Sequence, residues 1–447
     1  MEQQAAEERI PTEFRYWHNI RSVRAQLLRR GIHALFGADP ELPDAKVRAY
    51  AHAYYDADPV AEALARDVHL PRGQAEGRKL LDRALARGVD AIPDPPPSLR
   101  RLFAEIEVRP PWLDERLVEL GARVFRRYGT HLYSFAGAIT LEGYRESSVA
   151  RPLALTGAYT GSSANRRFLE TAAFWVDVSE PGALGPGQRG RETALHVRMM
   201  HVFVRQRLLA HPRWDLAAWG VPISQADAML TLMGGSIAPG HGLKLLGYRT
   251  SREEIAALMH FWRYVGHLMG VQPRWFPETV DEGVGLLFTA MVKGAGRSGD
   301  DGVHLARSYL ASYAPPASEP WSSAWRKHLE YRLQLGYVSF FLSPPTYARY
   351  GLPRPGLWRF HPLAQAPFVY ARETIRRRNR HLDDWLDTQA RSETRQWVAA
   401  RLGARRAEYR AVDPCAREPE AQAHRTASPP PPSPSARRNG PHGAAFG

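Results

Sequence analysis

The chain has 447 residues and a net charge of +14, from 60 lysines and arginines against 46 aspartates and glutamates. Its single cysteine, Cys415, excludes an intrachain disulfide and any cysteine-built zinc or iron–sulfur site. Hydrophobic residues make up 44%, enough for a sizeable core. The arginines are interleaved with acids, as in Arg252-Glu253-Glu254, and form no nucleic-acid-binding block.

Residues 1–30 read as an N-terminal arm ending in a basic helix. The first residues, Met-Glu-Gln-Gln-Ala-Ala-Glu-Glu, lack the basic-then-apolar pattern of a secretion signal. No apolar run approaches the ~20 residues of a membrane span, so a soluble, cytoplasmic protein is expected. From 31 to 412 the pattern is helical with little period-two alternation, which predicts a single all-α domain. Residues 45–90 predict two or three helices, with Leu80, Leu81, Ala84 and Leu85 as an apolar stripe. Prolines 93, 95, 96 and 97 break the pattern, and Ser98 is the expected cap of a helix starting at Leu99. Trp112-Leu113-Asp114 leads into a helix with Leu117, Leu120, Val124 and Phe125 on one side. Helices fill 131–178, and the Gly/Pro-rich stretch 179–190 is a loop. Trp219-Gly220-Val221-Pro222-Ile223-Ser224 reads as a helix stop, a turn and a new cap. Ser251 and Glu254 predict a capping box for a helix carrying Leu258, Phe261, Trp262, Val265 and Leu268. From Asp413 the composition falls to Pro, Ser, Ala, Arg and Gly, so 413–447 is expected to be a disordered tail.

The most informative stretch is Val197-Arg198-Met199-Met200-His201-Val202-Phe203-Val204-Arg205. Stepped at about 100° per residue, His201 falls among Ala194, Val197, Val204 and Leu208, with Arg198 and Arg205 together on one flank. An apolar wall offers a neutral imidazole no partner, whereas a metal does. The arginines can hold the acid groups of a flat, apolar cofactor, and haem has that shape. The plain alternative is a hydrogen-bonded core histidine. His196, five residues earlier, points about 140° away and cannot share a metal with His201 on a regular helix. Thirty residues upstream, Arg167, Glu170, Thr171 and Phe174 share a helix face. They are read either as polar groups for an oxygen site or as a plain Arg167–Glu170 salt bridge.

Other chemistries lack their motifs: there is no HExxH, no Glu-x-x-His pair and no Walker A lysine. Gly294-Ala295-Gly296-Arg297-Ser298-Gly299 matches a dinucleotide fingerprint but follows a helix, and Gly234-Gly235-Ser236-Ile237-Ala238 is an incomplete nucleophile elbow. Both are read as helix connections.

The His201 and Arg167 motifs, with Pro111-Trp112-Leu113-Asp114, Trp219 to Asp227 and Phe261 to Val271 in the same order, make the chain resemble a known family. It is that of the bacterial latex clearing proteins (rubber oxygenases) and the related fungal oxygenases of mycophenolic acid biosynthesis. The resemblance spans roughly residues 95–380. It implies a globin-like helical core with b-type haem, extra N- and C-terminal helices, and His201 as the proximal iron ligand. It places Arg167 and Thr171 in the distal pocket and implies dioxygen as co-substrate for cleavage of a carbon–carbon double bond. Two positions depart from the family: Glu170 stands where relatives carry a distal lysine, and Arg151 where they carry a glutamate base, Glu146 being the nearest acid.

The expected function is therefore a haem-dependent oxygenase acting on an unsaturated apolar substrate, isoprenoid or lipid-like. Arg167, Glu170 and Thr171 are the expected catalytic set, and His201, Arg198 and Arg205 the cofactor-binding set. A haem-binding sensor or carrier without turnover, and a helical scaffold without haem, are the alternatives.

Overall fold

The computed structural model describes residues 9–156, 162–315 and 321–402; the tail expected from Asp413 lies outside them. Among the described residues there is no strand, as the sequence predicts. The longer helices are α1 (Val23–Phe36), α2 (Asp44–His52), α3 (Pro59–Leu64), α4 (Gln74–Arg87), α5 (Pro97–Glu107), α6 (Glu115–Arg127), α7 (Gly129–Gly143), α8 (Ser147–Leu155) and α9 (Ser162–Ser179). They continue as α10 (Arg189–Leu209), α11 (Gln225–Gly235), α12 (Arg252–Leu268), α13 (Val280–Lys293), α14 (Gly299–Ala311), α15 (Trp321–Phe341), α16 (His361–Arg376) and α17 (Arg380–Leu402).

Local chemistry sets most of the boundaries. Ser251 accepts from the Glu254 amide while the Glu254 carboxylate reaches back to Ser251, the predicted capping box. Ser224 caps α11 by accepting from Asp227. Asp114 caps α6 through the amides of Arg116 and Leu117. At α5 the structure differs. The helix starts at Pro97, whose missing N–H costs nothing in the first turn. Ser98 lies inside it, buried with an unpartnered hydroxyl. The stripe expected on α6 is also narrower, since Leu117 and Leu120 remain 37% and 38% exposed while Val124 and Phe125 are buried.

The core is built around α6 and α12. Gly121 lets them approach closely: a β-carbon there would stand 2.7 Å from the Phe261 β-carbon. Phe125 packs edge-on to Trp262 at 5.1 Å, and Trp175 from α9 reaches the same indole at 6.2 Å. α9 packs on α10 and on α17. The helix begun by α3 runs on through a π turn, Ala65–His69. A buried ion network of Arg127, Glu254, Glu373 and Arg376 ties α6, α12 and α16 together.

Candidate functional site

α10 packs against α9, α12 and α3, and His201 on it is half-buried. Its ring makes no hydrogen bond among the described residues, yet it keeps some accessible surface. Burial, and then the charge of Arg205, push its pKa down to about 4, with Asp58 opposing. Burial opposes the charged form because water no longer solvates it. The imidazole is thus neutral near pH 7, with a free lone pair.

His196 shows the contrast. Its Nε2 lies 2.6 Å from an Asp82 carboxylate oxygen, and Arg78 approaches Nδ1 at 3.5 Å. The two histidines of α10 point to different surroundings, as the helical step predicts.

His69 and His241, which sequence reasoning missed, have both ring nitrogens shut away from water. Their rings are packed edge-on to Phe203 at 5.1 Å and Phe36 at 4.3 Å. His201 instead keeps accessible area within the best-defined motif. Among the described residues no three His, Cys, Asp or Glu side chains gather around a common point. A bare metal ion would need such a set; a porphyrin, bringing four nitrogens, asks for one.

The structure gives both arginines of α10 partners within the protein. Arg198 lies 2.7 and 2.9 Å from the Asp58 carboxylate and 2.8 Å from Glu105. Burial works against its charge, and the hydrogen bonds and charges of Asp58 and Glu105 more than restore it. Gly270, at φ 73°, covers this pair; a β-carbon there would come within 2.6 Å of Arg198 Nε. Arg205 pairs with Glu62 at 3.0 Å and donates to the carbonyls of Pro222 at 3.0 Å and Ile223 at 2.8 Å. Both guanidiniums serve protein acceptors and hold α10 in place.

On α9, Glu170 is buried and receives Arg167 at 2.8 Å and Arg166 at 3.2 Å. The predicted Arg167–Glu170 pair is present, with Arg166 added. The Thr171 side chain is exposed, and its hydroxyl donates to the Arg167 carbonyl at 3.1 Å. At the base position, Arg151 pairs with Asp301 and lies 5.5 Å from the Trp219 ring centre. Glu146 stands at the start of α8 beside Gly294. The fingerprint-like glycine run joins α13 to α14, a connection as expected.

No helix among the described residues is long and apolar enough to cross a membrane. The model of the family described as "ER-bound oxygenase mpaB/B'/Rubber oxygenase, catalytic domain" matches residues 123–377. The rubber oxygenase of Streptomyces sp. (strain K30) is 29% identical over 232 residues, 51% of this chain and 55% of its own length. The chain thus spans about half the length of that relative. The solved structure of latex clearing protein in the closed state aligns with a TM-score of 0.55 at 20% identity. That alignment covers 77% of this chain and 91% of the other, a likeness of fold.

Proposed function

The chain belongs to the mpaB and rubber oxygenase catalytic-domain family, and on that premise we propose that it is a haem-dependent oxygenase acting on a carbon–carbon double bond of an apolar, isoprenoid- or lipid-like substrate. One observation carries the cofactor: His201 is half-buried, neutral and without a hydrogen-bond partner among the described residues. His201 would hold haem b through its free ring nitrogen. Bound haem supplies the redox chemistry that dioxygen needs.

The chain's own groups do the rest. Arg167, whose guanidinium is bonded to Glu170, would supply N–H donors toward negative charge growing on oxygen. Glu170, held by Arg166 and Arg167, takes the place of the family's distal lysine and can accept a proton from the substrate. Asp58 and Glu105 fix Arg198, and through it the rotation of α10.

Protein expressed with haem supplied should show a Soret absorption band, absent in His201→Ala and kept in His196→Ala. Oxygen uptake with an apolar polyene would separate an oxygenase from a haem carrier. A colourless wild-type protein, or a His201 variant with a full haem complement, overturns the ligand assignment. Glu170→Gln should keep haem and slow turnover by ~10²-fold; unchanged turnover would leave the carboxylate as a structural ion pair.

A further inference from the structure

Helix α16 is amphipathic in the wrong sense for a soluble protein. Its inward face is part apolar and part charged: Val369 joins the core, and Glu373 and Arg376 are buried in the network with Arg127 and Glu254. Its outward face is apolar. Leu363, Pro367, Phe368, Tyr370 and Ile375 are all exposed, and stepped at about 100° per residue they fall within an arc of roughly 160°. The preceding turn, Gly356–Phe360, adds Leu357 and Phe360. Leu357 is 85% and Phe368 79% exposed. Contiguous exposed apolar surface of this kind marks an interaction site.

The charges around it name the occupant. From 351 to 380 the exposed ionised side chains are all arginines: Arg354 and Arg359 before the helix, Arg372 near its last turns, and Arg377, Arg378 and Arg380 after it. The one acid of this stretch, Glu373, is buried. Apolar side chains framed by arginines at both ends match a bilayer interface, where acyl chains meet anionic headgroups. A second copy of a chain carrying +14 would bring like charge to the same face.

We propose that the outer face of α16, with the Gly356–Phe360 turn, is a docking surface for anionic lipid membranes. The contact is peripheral, with Leu357, Phe360 and Phe368 entering the headgroup region and the arginines lying on the phosphates.

The full chain, with or without haem, is sedimented with vesicles of phosphatidylcholine alone and of phosphatidylcholine mixed with phosphatidylglycerol. Binding is measured apart from turnover, so it stands or falls separately from the oxygenase reading. Tenfold or greater preference for the anionic vesicles is expected, declining with added salt. Phe360→Ser/Phe368→Ser should weaken binding at least tenfold, and Arg377→Gln/Arg378→Gln about fivefold for each arginine. These side chains are exposed, so melting temperatures should stay unchanged. Absence of pelleting, equal pelleting with both vesicle types, or binding indifferent to both double variants overturns the proposal. A concentration-dependent dimer abolished by Phe368→Ser would assign the face to a second copy instead.

Discussion

Helices α10 and α16 both turn charged side chains inward, and they differ in what lies outside. α10 is surrounded: Arg198 and Arg205 meet carboxylates at the start of α3, within it and on α5, while His201 is half-buried between them. α16 is anchored from one side only, by Glu373, Arg376 and the Gln365–His131 hydrogen bond, with apolar residues facing water. Buried ion pairs are a poor source of stability compared with apolar packing, but breaking one leaves an uncompensated charge. They therefore fix the placement of a helix rather than add to its hydrophobic burial. In α10 the placed element presents a histidine to the interior; in α16 it presents a hydrophobic face to the exterior.

The sharpest test of this contrast is Asp58→Ala. It strips the two-point partner from Arg198 and should cost about 3–5 kcal/mol by urea unfolding. Glu373→Ala should cost less, about 2 kcal/mol, because Arg127 and Arg376 keep Glu254 and Asp383 as partners. Equal losses would erase the distinction between a carboxylate that holds one arginine at two points and one whose arginines have other partners.

Acid provides a second test, because the interior is rich in neutral histidines. His201 and His241 are both pushed down to about 4, chiefly by burial. For a base with a lowered native pKa, stability is complete above the unfolded value of 6.5 and is lost as pH falls toward 4. Each should cost on the order of 1–2 kcal/mol between pH 6.5 and 5. Asp227 acts oppositely: burial raises it to about 6, so its contribution is present at low pH and lost as pH rises through 6. The histidines outnumber it, so unfolding free energy of the haem-free protein should drop from pH 7 to pH 5. A flat or rising profile would show that His201 and His241 are solvated.

The smallest effect is expected outside α16. Leu363→Ser should change stability by less than about 0.5 kcal/mol, as exposed substitutions do. A loss of 2 kcal/mol or more would show that this face is packed and not presented.

Local features were legible. The Ser251 capping box, the Ser224 cap, the turn before α10 and the opposed directions of His196 and His201 all follow from spacing within a few residues. The fates of Arg198 and Arg205 were not, because their partners lie far away in the chain: Asp58 is 140 residues from Arg198, and Glu62 is 143 residues from Arg205. Spacing shows that an arginine faces inward but not which carboxylate the fold brings to it. Leu117 and Leu120 misled because an apolar residue on a helix need not be covered. α16 was hidden for the inverse reason: its periodicity is good, but periodicity alone does not say which side faces the core. His69 and His241 had no local signal, since each owes its isolation to a neighbour distant in sequence.

The clamp of Arg205 has a mechanical consequence. Ile223 is held at φ 53°, a left-handed backbone that a β-branched side chain resists. The hydrogen bonds of Arg205 to the Pro222 and Ile223 carbonyls help keep it there. Arg205 lies one turn beyond His201 on the same helix, so the side chain that holds the Ile223 turn also fixes the register of the helix that carries the histidine.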